Sequence, residues 1–198
     1  MLRVYRIPYS TNVERVALAL GLKRLTVEWV DVDPGDRTPI RAASGQELVP
    51  VLEDGGRVIT DSTRILHYLE TLRPDPPLFP RDPARAAEVE VFLDWFNRAW
   101  KREPNLIAGG AGDPEAVARW AGRMQQRLGL FEGLLTGRDY LFGDFGAADC
   151  AAWPFLRYAV SIEPDDDEAF HHVLHERMDV SGHPLLQAWI SRVDRRPR

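Results

Sequence analysis

The feature that most constrains the fold is a proline at the start of a short apolar segment that soon reverses direction. The chain reads V-P-V-L-E-D-G-G over residues 49–56, and Asp-Gly-Gly is a hairpin signal. Proline cannot donate a hydrogen bond to a β-ladder, so Pro50 is poorly suited to a strand interior. X-Pro bonds at such positions are often cis, and a cis Val49-Pro50 bond would leave the N–H and C=O groups of Val49 accessible to an extended ligand.

A pair of polar residues at a predicted helix start follows this hairpin. Asp61-Ser62 precedes the helical run T-R-I-L-H-Y-L-E at residues 63–70. Aspartate and serine are strong N-caps, and the backbone N–H groups at a helix start bind carboxylates well. The two features together predict a site that holds one edge of a ligand by strand-like pairing and another edge at a helix N-terminus.

These segments resemble the N-terminal, thioredoxin-like domain of the cytosolic glutathione S-transferases. The V-P-x-L motif of that family is matched at residues 49–52, and its E/D-S-x-x-I-x-x-Y-L motif is matched at residues 61–69. An ordinary hairpin followed by a capped helix would explain the turn and the cap, but not the proline beside them. The resemblance implies that glutathione is the co-substrate and that it contacts Tyr9, Ser10, Gln46, Val49, Pro50, Asp61 and Ser62, with Glu47 as the alternative to Gln46.

The pattern of apolar residues divides the chain into two parts. Strands are predicted at residues 2–7 and 26–32, with a helix at 12–22 between them and an irregular stretch up to Gly45. With the hairpin and its helix, the resemblance implies a βαβ-α-ββα thioredoxin-like α/β domain over residues 1–75. A proline-rich linker is predicted at 76–83. Helical spacing then predicts an all-α domain over residues 84–198, with helices near 89–100, 117–135, 147–160, 168–177 and 185–193.

A hydroxyl residue stands at the start of the first predicted helix. Ser10 with Arg15-Val16 matches the Ser-x-x-x-x-Arg-Val pattern of the serine-using classes, so the resemblance implies that Ser10 is the catalytic residue that activates the thiol. Lowering a thiol pKa from about 8.5 by about two units requires about 2.7 kcal/mol. A hydroxyl hydrogen bond to a charged acceptor contributes about 1.5–3 kcal/mol and a helix N-terminus about 1–2, so no metal is required.

Alternatives remain open around this serine. In one, Ser10 or Asn12 only caps the helix, as such residues usually do. In another, an alignment shift of one residue makes Tyr9 or Thr11 the activating group, and Tyr9 offers a phenolic donor. Tyr9 and the aromatic segment 95–100 are candidate walls for the second substrate, although helical spacing favours a core role for most of these aromatic residues.

Composition excludes several classes of function. The net charge of −5 is spread over mixed acidic and basic residues, so no nucleic-acid partner is expected. No apolar run is long enough for a membrane span, and a cytoplasmic location is expected. The single cysteine, Cys150, excludes an internal disulfide and dithiol chemistry. His171 and His175 share a helix face but lack further ligands at a recognisable spacing, so no metal is expected.

One segment of the helical half departs from the family pattern. Residues 145–149 read F-G-A-A-D, where the family has a Ser/Thr-x-x-Asp capping box before its buried helix. Gly146 has no hydroxyl, so one of the two reciprocal hydrogen bonds is lost. Asp149 is still expected to reach back to the N–H of Gly146.

The resemblance therefore implies a homodimeric enzyme that activates glutathione as a thiolate for attack on a small apolar electrophile. Two alternatives stay open. The same fold also serves as a non-catalytic ligand-binding or protein-interaction module. The chain also has only two lysines, Lys23 and Lys101, beside many arginines, which is a hint of a GC-rich genome and hence of another low-molecular-weight thiol.

Overall fold

The computed structural model describes every residue from Met1 to Arg198, and the chain divides into two compact units. The first unit comprises Met1–Phe79 together with Arg196–Arg198, and the second comprises Pro80–Arg195. The division falls within the proline-rich segment 76–83. The last three residues lie with the first unit, whereas the sequence analysis assigned them to the helical domain.

The first unit is a mixed α/β domain. Its strands are β1 (Leu2–Arg6), β2 (Val27–Asp31), β3 (Val51–Asp54) and β4 (Arg57–Thr60), and its helices are α1 (Thr11–Lys23), α2 (Thr38–Ser44) and α3 (Ser62–Leu72). The sheet has the strand order β2-β1-β3-β4. β1 pairs in parallel with β2 and antiparallel with β3, which pairs antiparallel with β4. This arrangement confirms the predicted thioredoxin-like fold.

Helix α2 lies in the stretch that the pattern of apolar residues left irregular. Its boundary signals are nevertheless present, because Pro39 occupies its first turn and Gly45 ends it with φ of 74°. Proline near a helix start and glycine just past its end are the usual asymmetry of helix boundaries. Only Ile40 of this short helix is buried, so no periodic apolar face marked it in the sequence.

One apolar cluster joins the elements that surround the predicted ligand site. It contains Tyr5, Val13, Val32, Ile40, Val49 and Val51. Val13 lies in the first turn of α1, Ile40 lies in α2, and Val49 precedes the proline of the V-P motif. Packing in this cluster therefore brings the start of α1 and the residue before Pro50 to the same part of the domain.

The second unit is built from helices, which confirms the predicted all-α domain. They are α4 (Pro83–Trp95), α5 (Arg102–Ala108), α6 (Pro114–Leu134), α7 (Ala147–Leu156), α8 (Ala169–Arg177) and α9 (Pro184–Asp194), with a π-helical turn at Phe96–Trp100. Phe96 and Trp100 stack with ring centroids 4.5 Å apart and both are buried. These aromatic side chains are core residues, as their spacing favoured. Cys150 is also buried.

The three histidines of α8 hold the segment that precedes it. The Nδ1 atom of His171 lies 2.8 Å from the carboxylate of Asp166. His172 and His175 donate to the backbone carbonyls of Asp166 and Tyr158 at 2.9 and 2.8 Å. No group of three or more histidine, cysteine, aspartate or glutamate side chains is arranged to hold a metal ion. None of the helices combines the length and the apolar character needed to cross a membrane.

Candidate functional site

Ser10 is the N-cap of α1. Its Oγ accepts a hydrogen bond from the backbone N–H of Val13 at 3.3 Å, which uses one oxygen lone pair and leaves the hydroxyl hydrogen to donate elsewhere. The capping role and the thiol-activating role are therefore compatible. The preceding residue, Tyr9, has φ of 56°, a left-handed conformation that is uncommon for a non-glycine residue and that occurs often at functional sites.

A buried arginine connects the start of α3 to α1. Arg15 is only 1% exposed, and its Nη1 donates to the Oγ of Ser62, the first residue of α3, at 3.4 Å. A positive charge thus lies beside a helix N-terminus, where the helix dipole also attracts anions. The sequence analysis noted Arg15 only as part of a motif. The signal that it missed was the presence of charged residues, Arg15 and Lys23, at buried positions of α1.

Asp61 is the N-cap of α3. Its Oδ1 accepts from the backbone N–H of Arg64 at 3.0 Å, and its own backbone has φ of 71°. This conformation is uncommon outside glycine, although aspartate is among the residues that tolerate it. Ser62 is buried while Asp61 is exposed. The first-turn N–H groups of α3 point out of the helix end beside these two residues, and such groups are suited to binding a carboxylate.

The V-P motif adopts the backbone geometry that the sequence predicted. The Val49-Pro50 peptide bond is cis. Both ladders of β3 begin at Val51, so the backbone of Val49 lies outside them. Gln46 lies in the loop between α2 and β3, where its side-chain amide binds the backbone of Leu48.

A cavity of about 340 Å³ opens beside Ser10. Its apolar and aromatic walls include Ile7, Pro8, Tyr9, Val13, Ala17 and Trp29. Two ion pairs border it: Arg6 Nε lies 2.6 Å from Asp31 Oδ1, and Arg198 Nε lies 3.6 Å from Glu14 Oε2. Val49, Pro50, Asp61 and Ser62 are not among its lining residues. Ser10 therefore borders a cavity with both apolar and charged walls.

Comparison with known families identifies both halves of the chain. The model for the N-terminal domain of glutathione S-transferases matches residues 4–77, and the model for the C-terminal domain matches residues 114–192. The chain belongs to the glutathione S-transferase family. This assignment agrees with the thioredoxin-like sheet of the first unit and the helices of the second.

Relatives within the glutathione S-transferase family carry different names. Maleylacetoacetate isomerase of Pseudomonas aeruginosa is 32% identical over 180 residues, which cover 82% of this chain and 85% of the relative. FtsZ-localized protein A of Caulobacter vibrioides is 30% identical over 174 residues, with 73% of each chain covered. The crystal structure of a glutathione S-transferase from Rhodospirillum rubrum aligns with a TM-score of 0.77 at 29% identity, covering 100% of this chain and 89% of the other.

Proposed function

We propose that this protein binds glutathione and activates its thiol as a thiolate for attack on a small apolar electrophile, with Ser10 as the group that stabilises the thiolate. The observation that carries the proposal is the hydrogen bond between Arg15 and Ser62. It joins α1, which begins beside Ser10, to the first residue of α3. The N-termini of α1 and α3 and the positive charge of Arg15 then all attract the same anionic ligand.

The binding half of the proposed site uses backbone groups. The backbone N–H groups at the Asp61-Ser62 start of α3 donate to a carboxylate of glutathione. The backbone N–H and C=O groups of Val49 pair with the backbone of the peptide's cysteine, as in the addition of a strand to a sheet edge. This arrangement supports recognition of an extended, anionic peptide, because main-chain pairing supplies affinity and the helix start selects for the carboxylate.

The chemical half of the proposed site depends on Ser10. Its hydroxyl hydrogen donates to the sulfur, and the hydrogen bond strengthens when the sulfur is a thiolate, because the acceptor is then charged. The thiol proton leaves to solvent, and the thiolate forms a bond to the electrophilic carbon while the leaving group on that carbon, such as chloride, departs with its bonding electrons. The cavity beside Ser10 has Tyr9 and Trp29 in its walls, and these aromatic rings are the part of it that a small apolar electrophile would contact.

Removing the side chains at the start of α3 should strongly weaken the binding of glutathione. Changing Asp61→Ala and Ser62→Ala together removes the cap of α3 and the hydroxyl beside Arg15, so we expect the affinity measured by calorimetry to fall at least about 30-fold. Asp113→Ala is the matched control, because Asp113 caps α6 through the N–H of Ala116 at 2.7 Å. If the double variant and the control bind equally well, the proposed carboxylate site is wrong.

Removing the Ser10 hydroxyl should slow the reaction with little effect on binding. With chlorodinitrobenzene as electrophile, Ser10→Ala should lower kcat/KM about tenfold to 100-fold, which corresponds to the loss of one hydrogen bond to a charged acceptor. The dissociation constant of glutathione should change by less than about threefold. Ser10→Gly keeps most of the cap strength but has no side-chain donor, so full activity in Ser10→Gly would exclude the proposed role. Ser10→Thr should retain much of the rate.

A second candidate function comes from the name of one relative. FtsZ-localized protein A is named for its localisation to another protein, so a non-catalytic interaction module is the alternative to an enzyme. The observation that separates the two is turnover. A folded protein that converts no electrophile with glutathione, cysteine or γ-glutamylcysteine would favour the interaction module.

We also propose that the enzyme is a homodimer, which light scattering tests directly.

A further inference from the structure

The loop between α2 and β3 contains a side chain that binds the backbone of a neighbouring residue at two points. Gln46 Nε2 donates to the carbonyl of Leu48 at 2.8 Å, and Gln46 Oε1 accepts from the N–H of Leu48. The orientation of the amide follows from chemistry, because a backbone N–H only donates and a carbonyl only accepts. Leu48 is nevertheless 76% exposed, so burial of this residue does not hold its backbone in place.

The same amide also connects this loop to α2. Gln46 Nε2 lies 3.1 Å from the Oγ of Ser44, and Ser44 Oγ donates to the carbonyl of Ile40 at 2.8 Å. Ile40 is buried in the apolar cluster that also contains Val49. A relay of hydrogen bonds therefore runs from the core to Leu48, the residue immediately before Val49.

We propose that Gln46 is a positioning residue that fixes Leu48 so that Val49 presents its N–H and C=O groups to the ligand. The inference rests on the proposed function, in which Val49 pairs with glutathione. It differs from the direct contact between Gln46 and glutathione that the family resemblance implies, because both ends of the amide are already engaged within the loop. Holding a binding segment in its bound conformation raises affinity, since the loss of chain entropy is not incurred on binding.

The first test compares two glutamines that make the same pattern. Gln46→Met keeps the length of the side chain but removes its hydrogen bonds, and we expect glutathione to bind about tenfold more weakly. Gln125→Met is the matched control, because Gln125 Nε2 donates to the Asp179 carbonyl at 2.7 Å and Gln125 Oε1 accepts from the Asp179 N–H at 2.8 Å. Gln125→Met should leave the affinity unchanged. Equal affinities for Gln46→Met and the unchanged protein would overturn the proposal.

A modified ligand separates positioning from direct contact. Glutathione methylated on the amide nitrogen of its cysteine cannot donate to the carbonyl of Val49. If Gln46 acts through Val49, the tenfold effect of Gln46→Met should shrink to about threefold with this analogue, because the analogue has already lost one of the two hydrogen bonds that Val49 makes. The same tenfold loss with both ligands would mean that Gln46 contacts glutathione elsewhere, and positioning through Val49 would be rejected.

Amide hydrogen exchange distinguishes a failure of this inference from a failure of the proposed function. Without ligand, Gln46→Met should accelerate exchange at the N–H of Leu48, which Gln46 accepts from in the unchanged protein, while Gln125→Met should accelerate exchange only near Asp179. If the protein bound no glutathione but showed this pattern, the proposed function would fail and the fixing of Leu48 by Gln46 would stand. Unchanged exchange at Leu48 would overturn the inference whatever the affinity.

Discussion

Replacing Asp149 with alanine should lower the free energy of unfolding near neutral pH by about 3 kcal/mol. The Asp149 carboxylate is buried at the start of α7. Its Oδ1 accepts from the N–H of Leu141 at 3.0 Å and from Nε1 of Trp189 at 2.7 Å, and its Oδ2 accepts from the N–H of Gly146 at 3.1 Å. Alanine leaves three donors without an acceptor, and each such donor costs about 1–3 kcal/mol. Alanine also removes the cost of burying a charged carboxylate, and this gain offsets part of the loss from the three donors. Urea denaturation measures the difference.

The asparagine variant tests this account. In Asp149→Asn, the amide oxygen replaces Oδ1 and still accepts from Leu141 and Trp189, whereas the amide nitrogen faces the N–H of Gly146, donor against donor. We therefore expect about half of the loss seen with alanine. Asp113→Ala, which removes an ordinary cap on α6, should cost about 1 kcal/mol. Equal losses for the alanine and asparagine variants would contradict the hydrogen-bond account.

The same carboxylate should make stability depend on pH. Burial raises the pKa of Asp149 from its ordinary value of 3.8 to about 6, while hydrogen bonds from Leu141, Trp189 and Gly146 act in the opposite direction. Because the pKa is higher in the folded state, the resulting stabilisation is fully present below the unfolded value and is lost as the pH rises through about 6. The difference in unfolding free energy between the aspartate protein and Asp149→Asn should therefore shift by about 3 kcal/mol across this range. A constant difference would show that the pKa is not raised.

Replacing Lys23 with methionine should also lower the free energy of unfolding by about 3 kcal/mol. The Lys23 side chain is fully buried. Its ammonium group binds the carboxylate of Glu70 and donates to the carbonyls of Pro76 and Pro74 at 2.7 and 3.4 Å, so all three of its donors are used. Methionine fills similar volume but leaves the Glu70 carboxylate without its cation. Glu70 is a quarter exposed, which places the expected loss at the lower end of the range for a broken buried pair.

A double-mutant cycle is the control for this ion pair. Glu70→Met alone leaves the Lys23 ammonium without its anion and the N–H of Leu78, which donates to Glu70 at 2.8 Å, without an acceptor. The double variant removes both charges, so its loss should be smaller than the sum of the two single losses by at least about 1 kcal/mol. Strictly additive losses would mean that the two groups stabilise the fold independently. The coupling should change little with salt, because the lysine is buried.

Much of the fold was predictable because its signals are local. The V-P motif and the Asp-Gly-Gly turn mark a hairpin with a cis proline, and both are present. Helical spacing likewise marked α6 and α9 within a few residues of their ends. The helices α2 and α5 did not stand out, since each has only seven residues, too few to repeat an apolar face.

The candidate site was predictable to a smaller extent. Ser10 and Asp61 were identified as helix-start residues from sequence position, and each caps its helix through an N–H three residues later. The sequence did not separate two uses of Gln46, a contact with the ligand or a bond within its own loop. Both uses need the same amide, and the choice depends on where Ser44 and Leu48 lie around it.

Interactions that close within one turn of helix or one hairpin can be read from the order of residues, because chain connectivity already holds the partners close together. The hydrogen bonds of Ser10 and Asp61 are of this kind. Three other interactions join residues that are 40 or 47 positions apart: Arg15 with Ser62, Lys23 with Glu70, and Asp149 with Trp189. Their charges and donors are evident in the sequence, but their partners are selected by packing, because a buried polar group must find an acceptor or donor among whatever side chains the folded core brings beside it.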